Sequence, residues 1–155
     1  MIKRPTTKEA YSLQASLGYW ATRLARAMET DFEERLVEYG VTRTSWAVLS
    51  AIVHHDKSTP MELAAFIGID SAAITRHLDR IVKQGLIARR RSTKDRRSIN
   101  LTLTAKGADL VPKIAAASKA TNDKFLVGLT QAEARNLQKI IQKMLSNTDV
   151  LPSDL

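Results

Sequence analysis

Apolar residues recur every three or four positions along most of this chain, and in one stretch the rhythm changes to every second. From about Lys8 to Tyr39, Leu13, Leu17, Trp20, Leu24, Met28, Phe32 and Leu36 keep the helical period, which predicts one long amphipathic helix ended by Gly40. Thr42 or Thr44 caps a second helix carrying Trp46, Leu49, Ile52 and Val53. Thr59-Pro60-Met61-Glu62 is a capping box with proline at the first helical position, a specific helix start. The short helix that follows buries Leu63, Ala64 and Ile67 and stops at Gly68. Ile69 and Asp70 make a turn, and a further helix runs from about Ser71 to Lys83, closed at Gln84-Gly85 where a glycine cap belongs. Its Ile74, Leu78, Ile81 and Val82 share one face.

The period-2 stretch comes next. Ile99, Leu101 and Leu103 alternate with Ser98, Asn100 and Thr102, as in a half-buried strand. Leu86 and Ile87 begin its partner, so residues 86–104 form a hairpin. Thr104 then opens a long helix through Leu110, Val111, Ile114, Phe125 and Leu126, with Pro112 placed to kink it. Thr130-x-x-Glu133 is a second capping box. The last helix buries Leu137, Ile140, Ile141, Met144 and Leu145, and the tail is expected to fray from Asn147.

Charge gives these elements a purpose. The tip and rim of the hairpin hold Arg89, Arg90, Arg91, Lys94, Arg96 and Arg97 against the single acid Asp95, most of the chain's net charge of +8. Guanidinium groups on a rigid ribbon suit a narrow, strongly negative groove. On the helix before it, the face opposite the apolar stripe carries Ala72, Ala73, Arg76, Asp79, Arg80 and Lys83, with His77 at its flank positioned for a phosphate. Small residues near the helix start permit close approach, and two arginines one turn apart reach base edges in a major groove. An ordinary exposed face with Arg76 and Arg80 paired to Asp79 is the plainer alternative. The order helix, turn, helix, wing within about 45 residues overrides it.

The run GIDSAAITRHLDRIVKQGLIARRRSTKDRRSINLTLTAKG resembles the core of the MarR family of winged-helix transcription regulators, and within it the SlyA-like branch. Ser71 followed by Ile74-Thr75-Arg76, then Lys83-Gln84-Gly85-Leu86-Ile87, Asp95-Arg96-Arg97 and Leu101-Thr102-Leu103-Thr104 carry the match. The proline often found before the wing acid is absent, and Thr93-Lys94 stand there. The resemblance implies that Ser71 and Thr75 join the reading face, that Arg97 enters the minor groove and that Asp95 braces the wing by pairing with an arginine. It implies a homodimer built from N- and C-terminal helices, and DNA binding relieved by a small ligand, often an aromatic acid or phenol. Trp20, Arg26 and Trp46 are candidates for that ligand's pocket, although both tryptophans also suit a core.

The expected architecture is therefore mainly α with a small β-hairpin wing. A winged helix-turn-helix core at about 44–104 is flanked by dimerisation helices at about 8–39 and 105–146, all in one domain of 155 residues. The helices outside the core carry apolar stripes, including Leu137 to Leu145, that a two-fold dimer would bury.

Composition narrows the function. Aromatic residues are 5% of the chain, too few for single-strand binding by stacking. There is no cysteine and only three histidines, so thiolate zinc and cysteine-oxidation switches are excluded, and no metal or cofactor is expected. His54, His55 and Asp56 are adjacent and suit a helix C-terminus better than a shared ion. No phosphate loop, HExxH or Gly-x-Ser-x-Gly is present, which disfavours an enzyme. No apolar run approaches a membrane span and MIKRPTTKEAYS lacks a signal core, so a cytoplasmic regulator of double-stranded DNA is expected. The rival is a winged-helix module for protein or RNA.

Overall fold

The computed structural model describes residues 12–91 and 99–148. Among these, a 3-10 turn at Leu13–Ala15 precedes α1 (Leu17–Val37), α2 (Arg43–His54), α3 (Pro60–Ile67) and α4 (Ser71–Lys83). Then come β1 (Ile87–Arg91), β2 (Ile99–Leu103), α5 (Ala105–Phe125) and α6 (Gln131–Leu145). The mainly helical fold with one hairpin is the architecture the hydrophobic pattern predicts.

Local caps explain most of the boundaries. Thr42 caps α2, and both predicted capping boxes form at Thr59–Glu62 and Thr130–Glu133. Asp70, expected in the turn, is the N-cap of α4 and accepts from Ala73 N at 2.8 Å. β1 and β2 pair antiparallel with Ile87 opposite Leu103 and Arg89 opposite Leu101, so Leu101 turns inward and is buried while Ile99 stays exposed. A bond from Leu101 N to Ser58 O at 2.7 Å ties the hairpin to the segment before α3. α5 continues past Pro112.

Three expectations change. α1 starts at Leu17, because Ser16 is extended and breaks the run; Lys8 to Tyr11 lie outside the described residues. Its apolar stripe is core only at its C-terminal end. Leu36 is buried, whereas Leu13, Leu17, Trp20 and Leu24 are 44–64% exposed. On α2 the buried residues are Val48, Leu49 and Ala51, and Val53 faces solvent. On α6 nothing is buried within one chain.

The core is a cluster of Leu36, Val48, Leu49, Leu63, Ile74, Leu78, Ile81, Leu86, Ile87, Leu101 and Ile114. Each such side chain removed from water contributes roughly 1.5–3 kcal/mol before entropy is counted. It draws on α1 through α5, which makes the winged-helix elements and the start of α5 one packed unit.

Two polar joints position the ends of that unit. At the first, Thr104 Oγ1 donates to Gly85 O at 2.6 Å, Thr104 N donates to Leu86 O at 3.1 Å, and Gly107 N donates back to Thr104 Oγ1. Gly107 is buried there, and a Cβ on it would lie 2.0 Å from Leu86 O. At the second, Asp31 of α1 is 7% exposed. It accepts from Arg35 Nε at 2.8 Å and, across from α5, from Thr121 Oγ1 at 2.7 Å and Lys124 Nζ at 2.5 Å. The Arg35 bond first, then those of Lys124 and Thr121, hold its carboxyl far below the ordinary range despite burial.

Both joints are testable. Gly107→Ala should lower unfolding stability by about 2–3 kcal/mol in urea titration, because backbone must move to admit the methyl group; an unchanged midpoint would contradict the close approach. A depressed carboxylate stabilises the fold above its unfolded pKa, and that contribution is lost as pH falls toward the folded value. Asp31→Asn should therefore lower Tm at neutral pH, with the gap to the parent closing in acid below about pH 4. A gap constant with pH would contradict the ionic joint.

Candidate nucleic-acid interface

α4 sorts its residues into two faces as its sequence dictates. Ile74, Leu78 and Ile81 are buried and Val82 is half-buried. Outward stand Ser71, Ala72, Thr75, Arg76, Asp79, Arg80 and Lys83, all exposed, with Ala73 and His77 half-buried at the margins. The Thr75 hydroxyl donates to Ser71 O at 2.8 Å, so it is already engaged by the helix. Asp70 accepts from the free amides of the first turn, chiefly Ala73 N, which holds its carboxyl below the ordinary range.

Arg76 and Arg80 have no ion-pair or hydrogen-bond partner among the described residues. The acid between them is otherwise occupied: Asp79 Oδ1 accepts from Arg89 Nη2 of β1 at 2.5 Å. This revises the pairing of Asp79 with Arg76 and Arg80, and it separates Arg89 from the other wing arginines. Arg89 and Asp79 join wing base to helix, which leaves Arg76 and Arg80 without an ion pair among the described residues, Arg76 adding only its field to the lowering of the Asp70 carboxyl. Nothing in the local sequence marks this pair, since the two residues lie ten positions apart on either side of the Gly85 turn.

On the wing, Arg90 is exposed opposite Asn100, and Arg91 closes β1 opposite Ile99. Lys94, Asp95, Arg96 and Arg97 lie outside the described residues. Of the basic hairpin, the described residues thus comprise its base.

The three proposed ligand residues do not converge. Trp20 is 54% exposed on α1, with Nε1 donating to Gln14 O at 2.7 Å and its ring edge-on to Tyr19. Arg26 is exposed on the same helix. Trp46 alone lines a cavity, of about 350 Å³, between α1, α2 and α5, together with Met28, Phe32, Arg43 and Thr121. A larger apolar groove of about 950 Å³ runs between α1, α5 and α6 past Leu24, Phe125, Leu137 and Ile141.

His54 is exposed at the end of α2, while His55 stacks on Phe66 with ring centres 4.6 Å apart. Among the described residues no three metal-ligating side chains converge, and no helix is long and apolar enough to cross a membrane.

Comparison with known proteins agrees with this geometry. The model of the MarR family matches residues 39–98, a span that takes in α2, α3, α4 and β1. The crystal structure of wild-type apo MarR from E. coli is 26% identical, with a TM-score of 0.71 over 84% of this chain and 97% of that one. BpsR of Bordetella bronchiseptica, a structure concerned with regulation of DNA binding by 6-hydroxynicotinic acid, is similar in fold. It has a TM-score of 0.79 and 22% identity over 90% of this chain and 99% of that one. The regulator SlyA aligns at 22% identity and TM-score 0.75, covering 85% of this chain and 93% of its own. SlyA is thus no nearer in sequence than MarR, and the comparison does not single out the SlyA-like branch.

If Asp79 positions the wing, Asp79→Asn should raise hydrogen exchange of the Ala88–Arg91 amides by up to about fivefold while the unfolding midpoint stays nearly fixed, as suits an exposed pair. Exchange rates equal to the parent's would contradict the positioning role.

Proposed function

Because the chain belongs to the MarR family of transcriptional regulators, we propose that it binds double-stranded DNA sequence-specifically, as a cytoplasmic homodimer that represses transcription. The observation that carries this reading is the exposed face of α4, with Arg76 and Arg80 unpaired among the described residues and the wing base tied to the same helix through Arg89. Such a head sets a helix in a major groove and a basic ribbon beside it. Arg97 reaches the adjacent minor groove and Asp95 braces the wing, as the family pattern implies. RNA fits less well, because an A-form duplex hides its major groove.

Dimerisation follows from the uncovered apolar residues. Leu17, Trp20 and Leu24 on α1 and Leu137, Ile140, Ile141 and Met144 on α6 are each at least 39% exposed in one chain. An apolar surface of that extent on two neighbouring helices calls for a partner, and a second copy supplies the same stripes by two-fold symmetry. The effector, a small aromatic acid, enters the Trp46 cavity, which lies where α1 and α5 meet the reading head. BpsR, whose DNA binding is regulated by 6-hydroxynicotinic acid, is the precedent. Release of DNA then equals the ligand's differential affinity for the two head spacings.

The test uses genomic fragments retained by the purified protein under excess competitor RNA. Arg76→Ala should cost about 1–3 kcal/mol and relax preference at one base position per half-site. Arg90→Ala should weaken all duplexes about equally, as a lost phosphate contact does. The parent's log affinity should fall with log salt at a slope of about −5 to −9. A slope near −2, or equal loss on every sequence with Arg76→Ala, would contradict the proposal, and retention abolished by competitor RNA would replace it with an RNA-binding role.

A further inference from the structure

Arginines suit guanine, whose O6 and N7 accept a guanidinium in two places. They do not tell the exposed face of α4 how to recognise an A·T pair. Ala72, Thr75, Arg76 and Asp79 follow one another at three- and four-residue steps and form one exposed stripe along that helix. The side chains that read adenine in two places are the amides of Asn and Gln, and α4 contains neither from Ser71 to Lys83. Gln84, the first amide side chain after it, is held at the α1–α2 turn, where Nε2 donates to Gly40 O at 2.8 Å. His77 is half-buried at the margin of the face.

What the stripe offers an A·T pair is methyl groups. Ala72 is exposed and presents only its Cβ. The Thr75 hydroxyl donates to Ser71 O at 2.8 Å, so its hydrogen is not available to adenine N7 or thymine O4. The acceptor capacity left on that oxygen, like that of the Asp79 carboxylate, suits adenine N6 and cytosine N4 alike and separates neither from the other. The Thr75 methyl group remains. In the major groove the distinguishing apolar mark of a base pair is the 5-methyl group of thymine. Ala72 lies four residues before Arg76, about 6 Å along the helix axis, a span of about two base pairs at 3.4 Å each.

We propose that Ala72, with the methyl group of Thr75 one turn on, is a specificity-determining residue that reads thymine through its 5-methyl group. The thymine lies within about two base pairs of the guanine that Arg76 reads. A·T pairs are thereby recognised from the thymine side by removal of apolar surface from water, without a hydrogen bond to the adenine edge. This assignment rests on the DNA-binding reading of α4 and deepens it by naming the base and the group on it that is read.

The test measures affinity at fixed salt for synthetic duplexes that copy a genomic fragment retained by the purified parent. Deoxyuridine in place of every thymidine removes only methyl groups and leaves each hydrogen-bonding group and the minor-groove pattern in place. Affinity should fall about fourfold for each methyl group in contact, and so about fifteenfold when both half-sites lose one. Replacing deoxyadenosine by 7-deazadeoxyadenosine, which lacks the N7 acceptor, should change affinity by less than about twofold. Ala72→Gly should weaken binding to the thymine duplex and respond by less than about twofold to deoxyuridine, with circular dichroism as the folding control. Equal affinity for thymine and deoxyuridine duplexes would overturn the proposal and leave the DNA-binding reading standing. So would a loss on 7-deazadeoxyadenosine as large as on deoxyuridine, or an Ala72→Gly variant as sensitive to deoxyuridine as the parent. A parent that binds all unmodified duplexes alike, or none, would overturn the DNA-binding reading and this assignment with it.

Discussion

The close approach of Gly107 to the Leu86 carbonyl is the constraint on which the arrangement of this protein depends. Three elements meet within a few residues: α4 ends at Gln84, the wing begins at Ile87 and returns at Leu103, and α5 begins at Ala105. Only a residue without a side chain lets α5 lie against that carbonyl. Thr104 then serves at once as N-cap of α5 and as donor to Gly85 O and Leu86 O. Because Leu86 also donates from its amide to Ile81 O, the exit of α4 is held from both sides. Packing here is close, so α5 cannot shift at this point without α4 or the wing shifting with it.

The same logic extends along α5. Asp31 binds α1 to α5 through Thr121 and Lys124 about fifteen residues beyond the junction. One helix therefore holds α4 and the hairpin at its start and grips α1 further along. The exposed apolar stripes of α1 and α6 lie at the far side of that connection, and the unpaired arginines of α4 at the near side. Charge and apolar surface are thus segregated, with α5 as the lever between them. The cavity at Trp46 borders α5 as well, through Ser118, Thr121 and Asn122.

Much of this was legible in the sequence where the signal is local. Thr59, Thr104 and Thr130 announce helix starts because a cap needs only a hydroxyl and the next three amides. α4 was legible from Ser71 to Lys83 because its apolar period and its glycine stop agree. Hidden features depend on residues far apart in the chain. Asp31 and Lys124, Asp79 and Arg89, and Gln84 and Gly40 carry no mark of each other. The stripe on α1 was legible only as an apolar face. Leu13 to Leu24 read as one side of an amphipathic helix, and within one chain they are exposed, because periodicity reports that a face is apolar and not which surface covers it. Likewise Arg89 was indistinguishable from its neighbours by composition, and only the position of Asp79 gives it a different part.

The central claim is that two such heads, held by a two-fold dimer, read duplex DNA. Hydroxyl-radical footprinting of a retained fragment tests it most directly, because it maps every contacted stretch of backbone at once. The account predicts two protected stretches centred about 10 base pairs apart, related by a dyad and lying on one face of the duplex. Outside them, a weaker pair of protections should mark minor-groove contacts of the wings. A single protected stretch without a dyad, or uniform protection along the fragment, would contradict it.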